Sequence, residues 1–164
     1  QMKKSILILL VGILFSCQQG LHPDFEANKA AAEKFLALQG SEADPAAQMS
    51  MIHEDIQWQP AFHGSGLIGK EAFGEYLMAW QTAMEDVTFT ADAYLPGVLQ
   101  ETGLPDGSVR AYGKWSGTDS TTGKKWEVTS YHTWDFKDGK IIAGGDYFDA
   151  GGLMAFLQAE TAEE

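Results

Sequence analysis

Two residues near the end of the chain have the types that proton transfer requires. His132 lies in an alternating segment from Trp126 to Phe136, and Asp149 closes the next segment, Ile141 to Asp149. A histidine, which titrates near neutrality, beside a desolvated carboxylate is the usual acid-base pair for moving a proton alpha to a carbonyl. Strand parity gives these residues a setting. Trp126, Val128, Ser130, His132, Trp134 and Phe136 form the more apolar face of their segment, so His132 points inward with the aromatics. In the last segment Ile141, Ala143, Gly145, Tyr147 and Asp149 share one face, and Tyr112, Tyr131 and Phe148 take the outward parity. Near 108 to 118, Val109, Ala111, Gly113 and Trp115 form an inward set whose small members leave room. The expected site is a cavity walled by Trp58, Trp115, Trp134 and Tyr147, with Ser130 among its few polar groups. Mostly apolar walls with one or two convergent polar side chains describe a small-ligand pocket. A second reading stays open: a buried histidine is often a hydrogen-bonded core residue, and Asp149 is placed to cap a closing helix through the amides near Gly151 and Gly152.

Other motifs carry less. Gly64-Ser65-Gly66-Leu67-Ile68-Gly69-Lys70 has the glycines of a phosphate loop, but the hydroxyl residue after the lysine is absent and no good parallel strand precedes it. His22, His53, His63 and His132 lie on different elements without paired metal-ligand spacing, so no metal and no cofactor is expected.

The elements that must hold the site follow from periodicity, which changes once, from helical to alternating. Asp24 to Gln39 carries Phe25, Ala32, Phe35, Leu36 and Leu38 at helical spacing, with Pro23 before it and Gly40 after it. Asp44-Pro45 opens a shorter helix through Met51, Asp55 to Gln59 reads as a brief strand, and Lys70 to about Met84 predicts a third helix with Phe73, Leu77 and Trp80 on one face. Four strands are predicted near 87–99, 108–118, 125–137 and 140–149. Helices first and antiparallel strands after them make an α+β domain: three N-terminal helices packed on a curved, mainly antiparallel sheet.

The run Trp126 to Phe136, the turn Lys137-Asp138-Gly139-Lys140, the strand to Asp149 and Gly151-Gly152-Leu153 together resemble the nuclear transport factor 2-like superfamily, in its SnoaL-like branch. The resemblance spans roughly residues 25 to 158 and implies a cone-shaped pocket. SnoaL-like polyketide cyclases use an aspartate near the end of the last strand as a base with a histidine from the sheet nearby, and Asp149 with His132 looks similar. Ketosteroid isomerases are similar in layout, but their tyrosine, aspartate base and late-strand acid match Phe35, Gln59 before Pro60, and His132 here, so two of the three groups lack the required chemistry. Dimerisation through the outer sheet face is common in the resembling proteins.

The front of the chain sets an address. Gln1 stands before the expected start at Met2; Met2-Lys3-Lys4 is a short basic region, and Ile6 to Phe15 an apolar run followed by Ser16-Cys17. That reads as a secretory signal over 1–16, too short for a permanent membrane span, ending in a bacterial lipobox that lipidates the lone Cys17. Residues 17–23 would be a tether, 24–159 a single domain, and 160–164 a frayed acidic tail. With Lys3 and Lys4 removed, nine basic residues face twenty-three acidic ones, a formal charge of −14. Such a surface repels nucleic acid and anionic headgroups, so attachment to the envelope, facing the periplasm or the exterior, falls to the lipid. The acidity itself reads as simple solubility, and a chain that is 45% hydrophobic with five tryptophans is not a disordered one.

Two classes of function survive. One is a binding module that holds a small apolar or aromatic molecule. The other is a cofactor-independent cyclase, isomerase or dehydratase with Asp149 as base and His132 as proton donor. Missing isomerase groups and a lipoprotein's address favour the first.

Overall fold

The structure is a computed structural model that describes residues 20–40 and 44–159. Its elements run α1 (Phe25–Ala37), α2 (Pro45–Ser50), β1 (Ile52–Gln59), α3 (Lys70–Ala83), β2 (Met84–Val98), β3 (Pro105–Asp119), β4 (Lys125–Lys137), β5 (Lys140–Phe148) and α4 (Ala150–Gln158). The signal segment, Cys17 and the acidic tail lie outside the described residues.

Helix α2 begins where its cap requires. Asp44 accepts from the amides of Ala46 and Ala47 while Pro45 fills the first helical position of α2. α1 buries Phe25, Ala32, Phe35 and Leu36, and α3 buries Phe73 and Leu77, in each case one stripe of an otherwise polar helix. Four helices are described rather than three N-terminal ones. β1 separates the second from the third, and the fourth closes the domain after the last strand.

One five-stranded sheet has the order β1-β5-β4-β3-β2. It is mixed: β1 pairs parallel with β5, and the other three pairings are antiparallel. β4 and β5 are joined by a two-residue turn, with φ of 51° at Asp138 and 73° at Gly139, the left-handed pair that matches strand twist in a tight hairpin.

The register of that hairpin slips once. Lys137 pairs with Lys140 and Phe136 with Ile141, but Asp135 pairs with Ala143, leaving Ile142 as an extra residue in β5. Such a bulge reverses the side-chain parity of everything beyond it. The core gathers on the face this selects, where Phe35, Trp58, Phe73 and Trp134 are buried together. The Trp58 and Phe73 rings lie 4.6 Å apart, and those of Phe35 and Phe73 stack at 6.1 Å. Gly144 permits this: a Cβ there would stand 2.6 Å from Cζ3 of Trp58.

Candidate active site and ligand cavity

His132 on β4 stands directly across from Asp146 on β5, and both point to the core face because the Ile142 bulge turns even-numbered β5 residues inward. His132 Nδ1 lies 2.7 Å from Asp146 Oδ1. The other carboxylate oxygen, Oδ2, accepts from Trp58 Nε1 at 3.1 Å and from the Tyr76 hydroxyl at 2.9 Å. Strand β1 and helix α3 each therefore send one donor to a carboxylate on β5.

Hydrogen-bond bookkeeping sets the histidine tautomer. Trp115 Nε1, which can only donate, lies 2.8 Å from His132 Nε2, so Nε2 accepts and the ring proton sits on Nδ1, donated to Asp146. Ser130 Oγ is a further neighbour of Nε2 at 3.0 Å. The ring is 2% exposed, with Phe89 edge-on at 5.4 Å and Trp134 stacked at 5.6 Å. Gly113 gives Phe89 its place, since a Cβ there would fall 2.6 Å from the Phe89 ring.

Burial pushes the Tyr76 phenol far above its ordinary range, and the neighbouring Asp146 carboxylate and its hydrogen bond push the same way. Tyr76 thus remains a neutral donor at any physiological pH.

In front of this network lies a cavity of about 60 Å³ between the helices and the sheet. Its walls include Trp58, Tyr76, Trp80, Trp115, Trp126 and Phe148, with His132 and Asp146 as its ionisable members beside Tyr76. Roughly 10–15 Å³ holds one water-sized group, so there is room for about four to six heavy atoms. A more open apolar groove, lined by Phe62, Met154 and Leu157 among others, shares Tyr76, Trp80 and Met84 with the cavity. Those three side chains stand between the two spaces. Among the described residues, no group of three or more His, Cys, Asp or Glu side chains is placed to hold a metal ion.

The residues expected at the site divide. Trp58 and Trp115 border the cavity, and Ser130 reaches it through His132. Trp134 is fully buried behind the histidine and does not border the space. Tyr147 points to the opposite face, 48% exposed, and lies against Tyr131, which in turn packs on Tyr112. Phe148, expected outward, faces the cavity. Asp149 is not the partner of His132: its carboxylate accepts from the Gly152 amide at 2.8 Å and caps α4. One cause accounts for the three departures on and just after β5, the parity reversal at Ile142, which exchanges Asp146 and Phe148 for Tyr147 and Asp149.

Asp146, Tyr76 and Phe148 are the site residues that sequence reasoning missed. Adjacent Ile141-Ile142 and Gly144-Gly145 break strict alternation and were the available sign of a bulge. Tyr76 lies three residues after Phe73 and four before Trp80, on the buried face of α3. Ile68 exchanges both backbone hydrogen bonds with Trp58, and Lys70 is held by Glu54 at 2.6 Å.

Residues 32–144 match the family model described as the SnoaL-like domain. No curated protein matches the sequence. Among solved structures, a provisionally assigned SnoaL-like polyketide cyclase of Jannaschia sp. CCS1 superposes with a TM-score of 0.71 at 11% identity, covering 87% of this chain and 99% of the other. The epoxide hydrolase/cyclase-like enzyme SalBIII, which acts in pyran ring formation in the polyether salinomycin, gives 0.63 at 18% identity, covering 77% and 93%. The pinacolase BvnE of Penicillium brevicompactum gives 0.63 at 13% identity, covering 81% and 93%. At these identities the likeness is one of fold.

Proposed function

The chain belongs to the SnoaL-like domain family, and from that premise we propose that it binds a small, mainly apolar molecule in the cone-shaped space in front of His132 and Asp146. The observation that carries this reading is the way the polar groups are spent. Both nitrogens of His132 and both oxygens of Asp146 are engaged by neighbouring side chains, as is the amide of Gln39, which donates to the Leu77 carbonyl and accepts from Gln48, and the rest of the wall is aromatic and aliphatic. A site built this way holds a ligand by shape and apolar contact. Ligands larger than about six heavy atoms enter by displacing Trp80, which joins the cavity to the neighbouring groove.

The protein works at the bacterial cell envelope, anchored through lipidated Cys17, on the strength of the signal and lipobox pattern in the sequence. Its outer sheet face, with Tyr112 43% exposed and Tyr147 48% exposed beside Tyr131, supports a homodimer. Native mass spectrometry of the full chain purified from its own host, compared with the denatured protein, tests the binding reading: a small molecule released on denaturation supports it, and an empty protein counts against it.

The 2.7 Å contact between His132 and Asp146 favours a second reading. In it, Asp146 takes the role of base in a cofactor-independent cyclase, isomerase or dehydratase, His132 orients it, and the neutral Tyr76 hydroxyl donates to the developing enolate oxygen. Turnover of carbonyl substrates that is lost in Asp146→Asn and kept in Asp149→Asn would select this reading over the first.

A further inference from the structure

We infer that the cavity takes a compact methylated ammonium ion, a tertiary or quaternary amine whose positive charge faces Asp146. This rests on the cavity being a ligand site and adds the ligand's charge and shape.

Asp146 carries an uncompensated charge. The Asp146 side chain is only 14% exposed. Its oxygens meet an indole N–H from Trp58, a phenol O–H from Tyr76 and a ring N–H from His132. All three donors are neutral: the Trp115 indole occupies His132 Nε2, which denies that ring a second proton. Among the described residues, no lysine or arginine borders the cavity. The wall therefore carries one negative charge with hydrogen bonds but no cation opposite it, although carboxylates taken out of water are normally matched by a positive charge.

The aromatic walls fit the same occupant. Tyr76 and Trp80 stand at 86° with centroids 6.5 Å apart, and Trp80 and Phe148 at 65° and 5.6 Å. Three rings so inclined form a corner rather than a stack, and ring faces attract cations, most strongly where water is excluded. The volume suits a group the size of trimethylammonium or tetramethylammonium. A primary ammonium fits less well. It needs acceptors for three N–H groups, and three of about four acceptor sites on Asp146 are already taken. A methylated cation asks for none. A formal charge of −12 on the whole chain raises the local concentration of any cation.

Calorimetric titration of the purified full chain with tetramethylammonium chloride, and separately with the neutral tert-butanol, tests the inference. Tetramethylammonium should bind roughly tenfold tighter or more. Asp146→Asn, which removes the charge, should remove that preference. Equal or tighter binding of tert-butanol to the wild type would overturn the cationic ligand and leave the cavity as a neutral site. Binding of neither probe would overturn both. Should Asp146→Asn fail to fold, nitrogen NMR of His132 in the wild type decides: a ring protonated on Nδ1 alone is expected, and a doubly protonated ring, which would itself neutralise Asp146, overturns the inference.

Discussion

Asp146 faces His132 because Ile142 is one residue more than the β4–β5 ladder needs. Without that bulge, Tyr147 and Asp149 would take the inward parity and the only carboxylate on the core face would sit at the end of the strand. The bulge thus converts a position that alternation assigns to solvent into the partner of a buried imidazole, 2.7 Å away.

The two aspartates should differ sharply on substitution. Asp146→Ala leaves the Trp58, Tyr76 and His132 donors without their acceptor in a nearly dry site, and each buried donor left unsatisfied costs about 1–3 kcal/mol. Asp149→Ala removes one helix cap, a loss of about 1 kcal/mol. Urea unfolding of the two variants measures the difference; equal losses would place Asp146 outside the core network.

Tyr76 gives the fold an alkaline limit. Its folded value lies above the ordinary 10.0, raised by burial and by Asp146. The native state therefore keeps a proton that the unfolded chain releases. Its contribution is complete below pH 10.0 and declines as pH rises further. Thermal unfolding across that range should show stability falling above pH 10.0, with a flatter profile in Tyr76→Phe. Profiles that coincide would remove Tyr76 as the cause.

Much of the fold was legible from sequence because its signals are local. Asp44-Pro45 announces α2, the Asp138-Gly139 pair announces the hairpin turn, and the alternation from Trp126 to Phe136 places Trp126, Ser130, His132 and Trp134 inward. β1 starts earlier than its apolar pattern suggests, since its parallel partner β5 recruits Ile52 opposite Ile141. The site was only half legible. Its histidine lies in a regular strand, whereas its carboxylate depends on a bulge, and a bulge is settled by long-range pairing with β1 and β4 rather than by the strand's own residues.

The outer face offers a test of assembly. Tyr112, Tyr131 and Tyr147 form a continuous aromatic row, with ring centroids 4.7 and 5.5 Å apart. Light scattering of the purified chain should give a dimer mass, and Tyr112→Glu with Tyr147→Glu should give a monomer, since two charges on each copy would be buried at the interface. A wild-type monomer at high concentration would remove this face as an interface.

Cys17 carries the proposed anchor. Cys17→Ser, expressed in the native host, should shift the protein from the membrane fraction to the soluble fraction and abolish labelling by a radioactive fatty acid. Unchanged partition and labelling would contradict lipidation at that residue.

The central claim is that the aromatic space in front of His132 and Asp146 is occupied in the cell. Native mass spectrometry of the wild type and of Val128→Phe, which narrows a cavity of about 60 Å³ from its β4 wall, tests it directly. The account predicts a small molecule bound to the wild type and absent from the variant. A molecule retained by both, or found in neither, would contradict it.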